Sequence, residues 1–262
     1  CSYWVSLSPT HGLWPVYLFT LLLAILLAFL IARAQAKRLR REQDLTNAVA
    51  HELKSPLAIL HSYAEGLRED IAPDKRSQYL DVIMEQADQM AALVSALLDL
   101  SRMKAGKTRF EPVPVSLERV VESVFHTLER PMETAGVTLA LDLESCTVSG
   151  EEGRLSLVVS NLASNALKHT PTGGEIRVSL QIRGLFAHLL VENDGDPIPP
   201  EALPRLFEPF YRSDTARDRQ SGGTGLGLAL VKETVTLHGG TCGVENLPHG
   251  VRFWVELPLL EL

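Results

Sequence analysis

The feature that most limits how this chain can fold is an uncharged, apolar run near its start, Leu13–Ala32. About twenty residues of helix rise roughly 30 Å, the thickness of the hydrocarbon core of a bilayer. Trp14 lies at the leading end, where aromatic rings favour the headgroup layer. Residues 33–41 follow with five basic side chains and no acidic one. We therefore predict a transmembrane helix over 13–32, a short extracytoplasmic stub over 1–12, and a cytoplasmic location for the rest.

A cleaved signal peptide is the other interpretation that these residues allow, because Ala34-Gln35-Ala36 resembles a small-residue cleavage site. No positive charge precedes the apolar run, and the run is longer than the apolar core of a typical signal peptide. The charge pattern and the length therefore both favour a retained membrane anchor.

Charge and cysteine content exclude two further classes of protein. The net charge of −7 provides no basic field that would attract a phosphate backbone, so we expect no direct binding of nucleic acid. The three cysteines, Cys1, Cys146 and Cys242, are far apart and form no CxxC pair. We interpret them as reduced thiols of a cytoplasmic protein rather than as a zinc site or a disulfide framework.

Two apolar stripes with helical spacing follow the anchor. The first comprises Leu45, Val49, Leu53, Leu57, Leu60, Ala64 and Leu67, and the second comprises Leu80, Ile83, Ala87, Met90, Val94 and Leu97. Spacing by three or four residues predicts one buried face on each helix. A break at Ile71–Asp74 separates the stripes, and Asp74 is predicted to cap the second helix. We predict an antiparallel helical hairpin within residues 33–103, and a dimeric four-helix bundle as the way to bury its apolar side.

One histidine on the first helix is distinctive. His51 lies two residues before Leu53, which places it on the opposite side of the helix from the apolar stripe and in contact with water. It opens the string His51-Glu52-Leu53-Lys54-Ser55-Pro56-Leu57. A proline inside a helix costs roughly 3 kcal/mol, so Pro56 is unfavourable for a purely structural helix. The string resembles the phosphoacceptor motif of the sensor histidine kinases of two-component systems.

The resemblance implies a catalytic role for three side chains. His51 would accept a phosphoryl group, since neutral imidazole is a nucleophile at cytoplasmic pH. Glu52 would hold the imidazole tautomer and take up its proton. Ser55 occupies the position at which the family often has Thr or Asn to orient the water that removes phosphate from the partner. Because Ser departs from that pattern, phosphatase activity stays open.

The second half of the chain, residues 116–262, follows a linker over 104–115 that contains Gly106 and two prolines. Strands are predicted at 137–143, 176–182, 185–191 and 251–257. Ser149 and Glu152 are predicted to form a capping box for a helix between the first two strands. The mixture indicates an α/β two-layer sandwich. Four strings within it occur in the order shown by histidine kinase ATP-binding domains, so the resemblance implies the GHKL (Bergerat) ATPase fold.

The first string is Asn161–Thr170, which lies on the predicted helix. Asn161, Asn165 and Lys168 are three or four residues apart and therefore share one side of that helix. Neutral oxygens together with a cation suit a Mg-triphosphate. The resemblance implies that Asn165 binds Mg²⁺, that Lys168 lies near the phosphates, and that Asn161 and His169 line the nucleotide site. ATPases of this fold usually have a water-activating carboxylate at the position of Asn161, so the amide favours a kinase over a hydrolase.

The second string, Val191–Pro199, resembles the DxGxG adenine loop of the family with two departures. Asn193 occupies the position of the Asp that accepts a hydrogen bond from the adenine amino group, and Pro197 replaces the second glycine, whereas Gly195 keeps the first. An amide oxygen can still accept that bond, but without the strength that a charge gives. We therefore expect ATP binding to be weaker by about 1–2 kcal/mol.

The third and fourth strings flank a polar stretch, Ser213–Ser221. The third, Phe207–Arg212, resembles the hinge of the family's ATP lid, with Arg212 as a phosphate contact. The fourth, Gly222–Ala229, has alternate glycines that let backbone N–H groups approach phosphates. The resemblance implies that the cofactor is bound here by Gly223, Thr224, Gly225, Leu226 and Gly227.

The ordered strings extend over about residues 45–258 and imply a membrane-bound sensor histidine kinase. We expect a homodimer in the bacterial cytoplasmic membrane that uses Mg-ATP to phosphorylate His51 and then passes the phosphoryl group to an Asp of a separate response regulator. Two alternatives remain open. One is a nucleotide-hydrolysing relative of the same fold, and the other is a membrane-tethered scaffold or phosphatase-only protein, which the altered adenine loop keeps open.

Overall fold

The computed structural model describes the chain over 14–71, 73–106, 108–212 and 224–260. The chain divides into two units, Cys1–His51 and Glu52–Leu262. Helix α1, Trp14–Arg68, contributes to both units and continues without a break through Pro56.

The first unit consists, over its described part, of the N-terminal portion of α1. Residues Val16–Arg33 have a mean hydropathy of 2.5, and none of them is buried within the chain. Phe19 and Leu22 are more than half exposed, as are most of their apolar neighbours. A helix of this length and composition fits the hydrocarbon core of a bilayer. The segment therefore has the properties of a single membrane span.

The second unit opens with a helical hairpin. Helix α2, Arg76–Lys104, runs back beside the end of α1 after a 3₁₀ turn at Pro73–Lys75. Next to this turn the rings of Tyr63 and Tyr79 meet edge to face, with their centroids 5.0 Å apart. Gly66 lies against the same Tyr79 ring, where a Cβ would come within 2.8 Å of Cε2. The predicted antiparallel hairpin is confirmed.

The rest of the second unit is an α/β domain. Its helices are α3 (Leu117–Thr127), α4 (Glu129–Ala135), α5 (Glu152–His169) and α6 (Gly227–Leu237). Its strands are β1 (Val113–Ser116), β2 (Thr138–Leu143), β3 (Thr147–Gly150), β4 (Glu175–Arg183), β5 (Phe186–Asp194), β6 (Thr241–Leu247) and β7 (Gly250–Pro258). Strands β1 and β3 pair antiparallel, and the other five form one sheet in the order β2-β4-β5-β7-β6.

The five-stranded sheet has one buried and one open face. Strand β2 runs parallel to β4, and the remaining neighbours are antiparallel. Ile176, Val178 and Leu180 of β4 are buried in the main core. Arg177 lies between them in sequence and therefore points to the opposite face. Helices α3, α5 and α6 pack side by side over the core face. The predicted two-layer α/β sandwich is confirmed, and residues 113–115, expected to be linker, form part of β1.

Two predicted helix caps are wrong. Asp74 lies inside the 3₁₀ turn, and Lys75 occupies the N-cap of α2 without a side-chain capping bond. Ser149 belongs to β3, where its backbone pairs with that of Pro114 in β1. This pairing keeps Ser149 away from the start of α5, and Glu151 occupies the N-cap position instead.

A second, smaller apolar cluster joins α2 to α6. Its buried members are Leu93, Leu100, Leu226, Ala229 and Leu230, and Leu53, Ala96 and Phe210 are partly buried against it. The hydroxyl of Thr234 also donates to the Sδ of Met103 at 3.8 Å. The buried face of α2 therefore coincides only in part with the predicted stripe, since Ile83, Met90 and Leu97 are partly buried. Leu80 and Val94 of that stripe are 48% and 46% exposed.

Candidate nucleotide-binding site

A cavity of about 790 Å³ opens in the α/β domain, within the size range of small-molecule sites. It is lined by the C-terminal half of α5, the end of β5, the start of β7, the loop after β5, and the segment that leads into α6. These parts of the domain are separated in sequence and meet only because the sheet and the helices pack together. The cavity is large enough to hold a nucleotide.

Helix α5 contributes the face on which the sequence placed three functional side chains. Asn161, Asn165 and Lys168 all line the cavity, as their spacing predicts. The Nδ2 of Asn161 donates to the carbonyl of Leu157 at 2.8 Å. Its Oδ1 lies directly against Gly227, where any Cβ would collide with it. Asn161 therefore also sets how closely the start of α6 approaches α5.

Positive charge is concentrated at one part of the cavity. Lys168 and Arg212 both line it. Burial lowers the pKa of Lys168, and the nearby charge of Arg212 lowers it further. An anion that binds between two cations relieves their repulsion, so this part of the cavity suits a phosphate group. Burial, followed by the charge of Lys168, also lowers the pKa of His169 and so favours its neutral form.

Asn193 lines the cavity at the end of β5 and is only 3% exposed. Its Nδ2 donates to the backbone carbonyl of Asp194 at 3.0 Å. Gly195 follows with a φ of 150°, and a Cβ there would lie 2.7 Å from the carbonyl oxygen of His169. Gly195 thus allows the loop to pass close to the end of α5, and Pro197 then contributes to the cavity wall.

The segment that leads into α6 is distant in sequence from the loop after β5. It nevertheless lines the same cavity, with Thr224, Gly225 and Gly227. Gly225 has a φ of +67°, and a Cβ there would be 2.8 Å from the Cα of Phe210. The N–H of Phe210 donates to the carbonyl of Gly225 at 2.8 Å. This bond joins the chain on either side of residues 213–223, which lie outside the described residues.

The predicted cofactor residues Gly223 and Leu226 differ from the rest of the predicted set. Gly223 falls in the stretch outside the described residues. Leu226 turns its side chain away from the cavity and into the cluster between α2 and α6, where it is 1% exposed. The predicted contribution of Leu226 to cofactor binding would therefore come from its backbone and stays a prediction, because its side chain packs on the hairpin just before α6.

The predicted phosphoacceptor residues lie on α1. His51 and Ser55 are exposed, and Glu52 is partly buried. His51 ends the first unit, and Glu52 and Ser55 belong to the second. The exposure of His51 agrees with its predicted position opposite the apolar stripe.

The apolar walls of the cavity had no distinguishing signal in the sequence. They include Leu128, Leu206, Val251 and Phe253. The two β7 residues follow the alternation of any buried strand, and the other two lie in connecting segments. Over the described residues no cluster of three or more His, Cys, Asp or Glu side chains could hold a metal ion. The amide of Asn165 together with ligand phosphates fits Mg²⁺, which commonly keeps few protein ligands.

Two sequence families match the chain. Residues 150–261 match the histidine kinase-, DNA gyrase B- and HSP90-like ATPases, and residues 41–106 match the His Kinase A (phospho-acceptor) domain. Except for Leu128, the cavity residues fall in the first match, and His51 falls in the second. A phosphoacceptor hairpin followed by an ATP-binding domain of this fold defines the class of the histidine kinases.

Individual relatives agree with this class. The sensor histidine kinase CusS of Escherichia coli is 36% identical over 219 residues, which are 83% of this chain and 46% of that protein. The sensor-like histidine kinase SenX3 of Mycobacterium tuberculosis is 31% identical over 233 residues, 87% of this chain and 56% of that protein. The histidine kinase AdeS of Acinetobacter baumannii has a similar structure, with a TM-score of 0.69 at 25% identity, over 80% of this chain and 98% of that one.

The chain belongs to the sensor histidine kinases, and its ATPase-type domain is an ATP-binding domain. It spans about half the length of the curated relatives it matches.

Proposed function

We propose that this chain is the catalytic part of a membrane-anchored sensor histidine kinase, which phosphorylates His51 with Mg-ATP and passes the phosphoryl group to an Asp of a response regulator. One observation carries the proposal. A single cavity contains the amides of α5, the buried Asn193 and the cations Lys168 and Arg212. The same chain presents an exposed His51 inside its match to the phosphoacceptor domain.

The chemistry of the cavity favours one orientation of the bound nucleotide. The base would lie at the Asn193 end, where a buried amide oxygen can accept from an amino group. The phosphates would lie toward Lys168 and Arg212, where positive charge is concentrated. Mg²⁺, when bound, would neutralise phosphate charge with Asn165 as a protein ligand. The glycines before α6 leave room for the backbone to approach the phosphates.

The reaction needs a nucleophile and a way to manage its proton. A neutral imidazole nitrogen of His51 attacks the γ-phosphorus, the N–P bond forms, and the bond from that phosphorus to the bridging oxygen of ADP breaks. Glu52 accepts a hydrogen bond from the N–H of the other ring nitrogen and stabilises the positive charge that the ring acquires. It can then take up that proton. In the second step the N–P bond breaks as a carboxylate oxygen of the regulator takes the phosphoryl group.

The anchor and the hairpin suggest how the kinase is assembled. The apolar residues of Val16–Arg33 are exposed in the chain and would be covered by lipid in a bacterial cytoplasmic membrane. Leu57, Leu80 and Val94 of the hairpin are also exposed. A second copy would cover them in a four-helix bundle, which makes a homodimer the proposed state. Ser55 retains a hydroxyl near His51, so a phosphatase activity on the regulator is part of the proposal to be tested.

The test is incubation of the full chain in detergent micelles with Mg²⁺ and γ-labelled ATP. The wild type should acquire acid-labile, base-stable label, and the His51→Gln variant should acquire none. His61→Gln is the matched control, because His61 is an exposed histidine on the same helix and should not affect labelling. A wild type that binds ATP but stays unlabelled would reject the kinase and favour a scaffold.

A further inference from the structure

The last two residues of β5 have opposite orientations. Side chains alternate along a strand, so Asn193 faces the nucleotide cavity whereas Asp194 faces the open side of the sheet. Asn193 is buried, and the side chain of Asp194 is 30% exposed. Asp194, which lies outside the cavity, is thus the chain neighbour of Asn193, the residue that would recognise the base.

The amide of Asn193 has a defined orientation in the structure. Its Nδ2 donates to the backbone carbonyl of Asp194 at 3.0 Å. If the amide were turned over, Oδ1 would face that carbonyl oxygen, and two acceptors would be opposed. The observed orientation leaves Oδ1 as the acceptor available to a purine. An acceptor at this position pairs with a 6-amino group and opposes a 6-oxo group.

The position of Asp194 is itself fixed by the neighbouring strand. Its Oδ2 accepts from the backbone N–H of Glu175 at 3.0 Å, and its Oδ1 accepts from Nη2 of Arg177 at 3.1 Å. Arg177 is held in turn by Glu175 at 2.7 Å and by Glu192 at 3.5 Å. Both oxygens of Asp194 are therefore bound by β4, and a charge-assisted bond of this type has a restricted geometry.

We propose that Arg177 and Asp194 are positioning residues of the nucleotide site, which keep the Asn193 amide turned so that the site accepts a 6-amino purine and rejects a 6-oxo purine. This inference rests on the nucleotide site proposed above. Neither side chain touches the nucleotide. They act through the backbone carbonyl of Asp194, whose displacement would free the amide to turn over and donate to a 6-oxo group.

The chain offers a matched control on the same face of the sheet. Arg252 binds Glu192 and Glu245 at 2.6 and 2.8 Å, and it is embedded in the same row of charges as Arg177. The contacts of Arg252 do not include Asp194 over the described residues. Arg252→Gln thus removes a comparable surface ion pair without releasing the end of β5.

The experiment measures dissociation constants of ATP and GTP by competition against trinitrophenyl-ATP fluorescence, with the full chain in detergent micelles and Mg²⁺. The wild type should prefer ATP. Arg177→Gln and Asp194→Asn should each lower the ATP-over-GTP preference by roughly two- to tenfold, the change expected from one ordinary hydrogen bond. Arg252→Gln should keep the preference of the wild type. A general loss of folded protein would weaken both nucleotides equally and leave the ratio unchanged.

The outcomes are distinct. A wild type that binds no ATP refutes the proposed function and this inference with it. A wild type that prefers ATP, with the same preference in both Arg177→Gln and Asp194→Asn, refutes the positioning role alone. An equal loss of preference in Arg252→Gln also refutes it, because the effect would then be general to the sheet. If Arg177→Gln does not fold, the isosteric Asp194→Asn decides.

Discussion

Shortening Leu100 to Ala should destabilise the ATP-binding domain, although Leu100 lies in the helical hairpin. Leu100 belongs to α2 and is 1% exposed. Its cluster includes Leu226 and Leu230 at the start of α6, and this cluster is separate from the main core of the domain. Any loss of domain stability caused by Leu100→Ala must therefore pass through the contact between α2 and α6.

The expected magnitude follows from the burial of the cluster. Replacing a fully buried leucine by Ala costs about 2–5 kcal/mol, and the value depends on how well the site can collapse. This cluster is small and is bordered by partly buried Ala96 and Phe210, which can move into the space. We therefore expect about 2 kcal/mol for Leu100→Ala. Leu230→Ala should cost a similar amount, and since both changes enlarge one void, the pair should cost about 1 kcal/mol less than the sum.

The assay uses the tryptophan in the sheet. The chain has three tryptophans, and replacing Trp4 and Trp14 by Phe in every variant leaves Trp254 of β7 as the reporter of the ATP-binding domain. Urea unfolding of the full chain in detergent micelles then gives the free energy of unfolding for Leu100→Ala, Leu230→Ala and the pair.

Leu180→Ala is the control, because Leu180 is fully buried in the main core and shares no cluster with Leu100. Its effect should add to that of Leu100→Ala within about 0.5 kcal/mol. An unchanged Trp254 transition in Leu100→Ala would contradict this prediction, since α2 would then contribute nothing to the stability of the domain.

Three further changes test individual features of the domain. Asn193→Asp should leave the ATP dissociation constant within about threefold by calorimetry, a smaller change than the sequence alone led us to expect, because a stronger bond to the base is offset by loss of donation to the carbonyl of Asp194. A tenfold gain would contradict this. Gly225→Ala should lower the free energy of unfolding, measured in urea, by more than about 2 kcal/mol, because the φ of +67° is unfavourable for Ala and the added Cβ would collide with the backbone of Phe210. An unchanged urea midpoint would be inconsistent with the structure. His238 is buried, and burial lowers its pKa below 6.5, so the unfolded chain binds a proton before the folded chain does. Stability should therefore be complete above about pH 6.5 and fall as the pH decreases. The urea midpoint should fall less steeply in His238→Gln, and equal slopes would exclude His238 as a source of the dependence.

The polar part of the nucleotide site could be predicted because its residues lie in short contiguous strings. Asn161, Asn165 and Lys168 share a helix face, which spacing alone determines. The apolar part could not be predicted in the same way. Phe253 alternates like any core residue of a strand, and only the packing of α5 against the sheet decides that it borders a cavity. Ser149 illustrates the opposite error, because a local capping pattern lost to pairing with a distant strand.

The hairpin shows why periodicity identifies an apolar face without identifying what covers it. Helix α2 has two such faces. Leu93 and Leu100 are seven residues apart and share the face that is buried against α6. Val94 follows Leu93 by one residue, which turns it by about 100° around the helix, and it stays exposed. The second copy in the proposed dimer can therefore pack on the face of Val94 without displacing α6, so that dimerisation and docking of the ATP-binding domain do not compete for the same side chains.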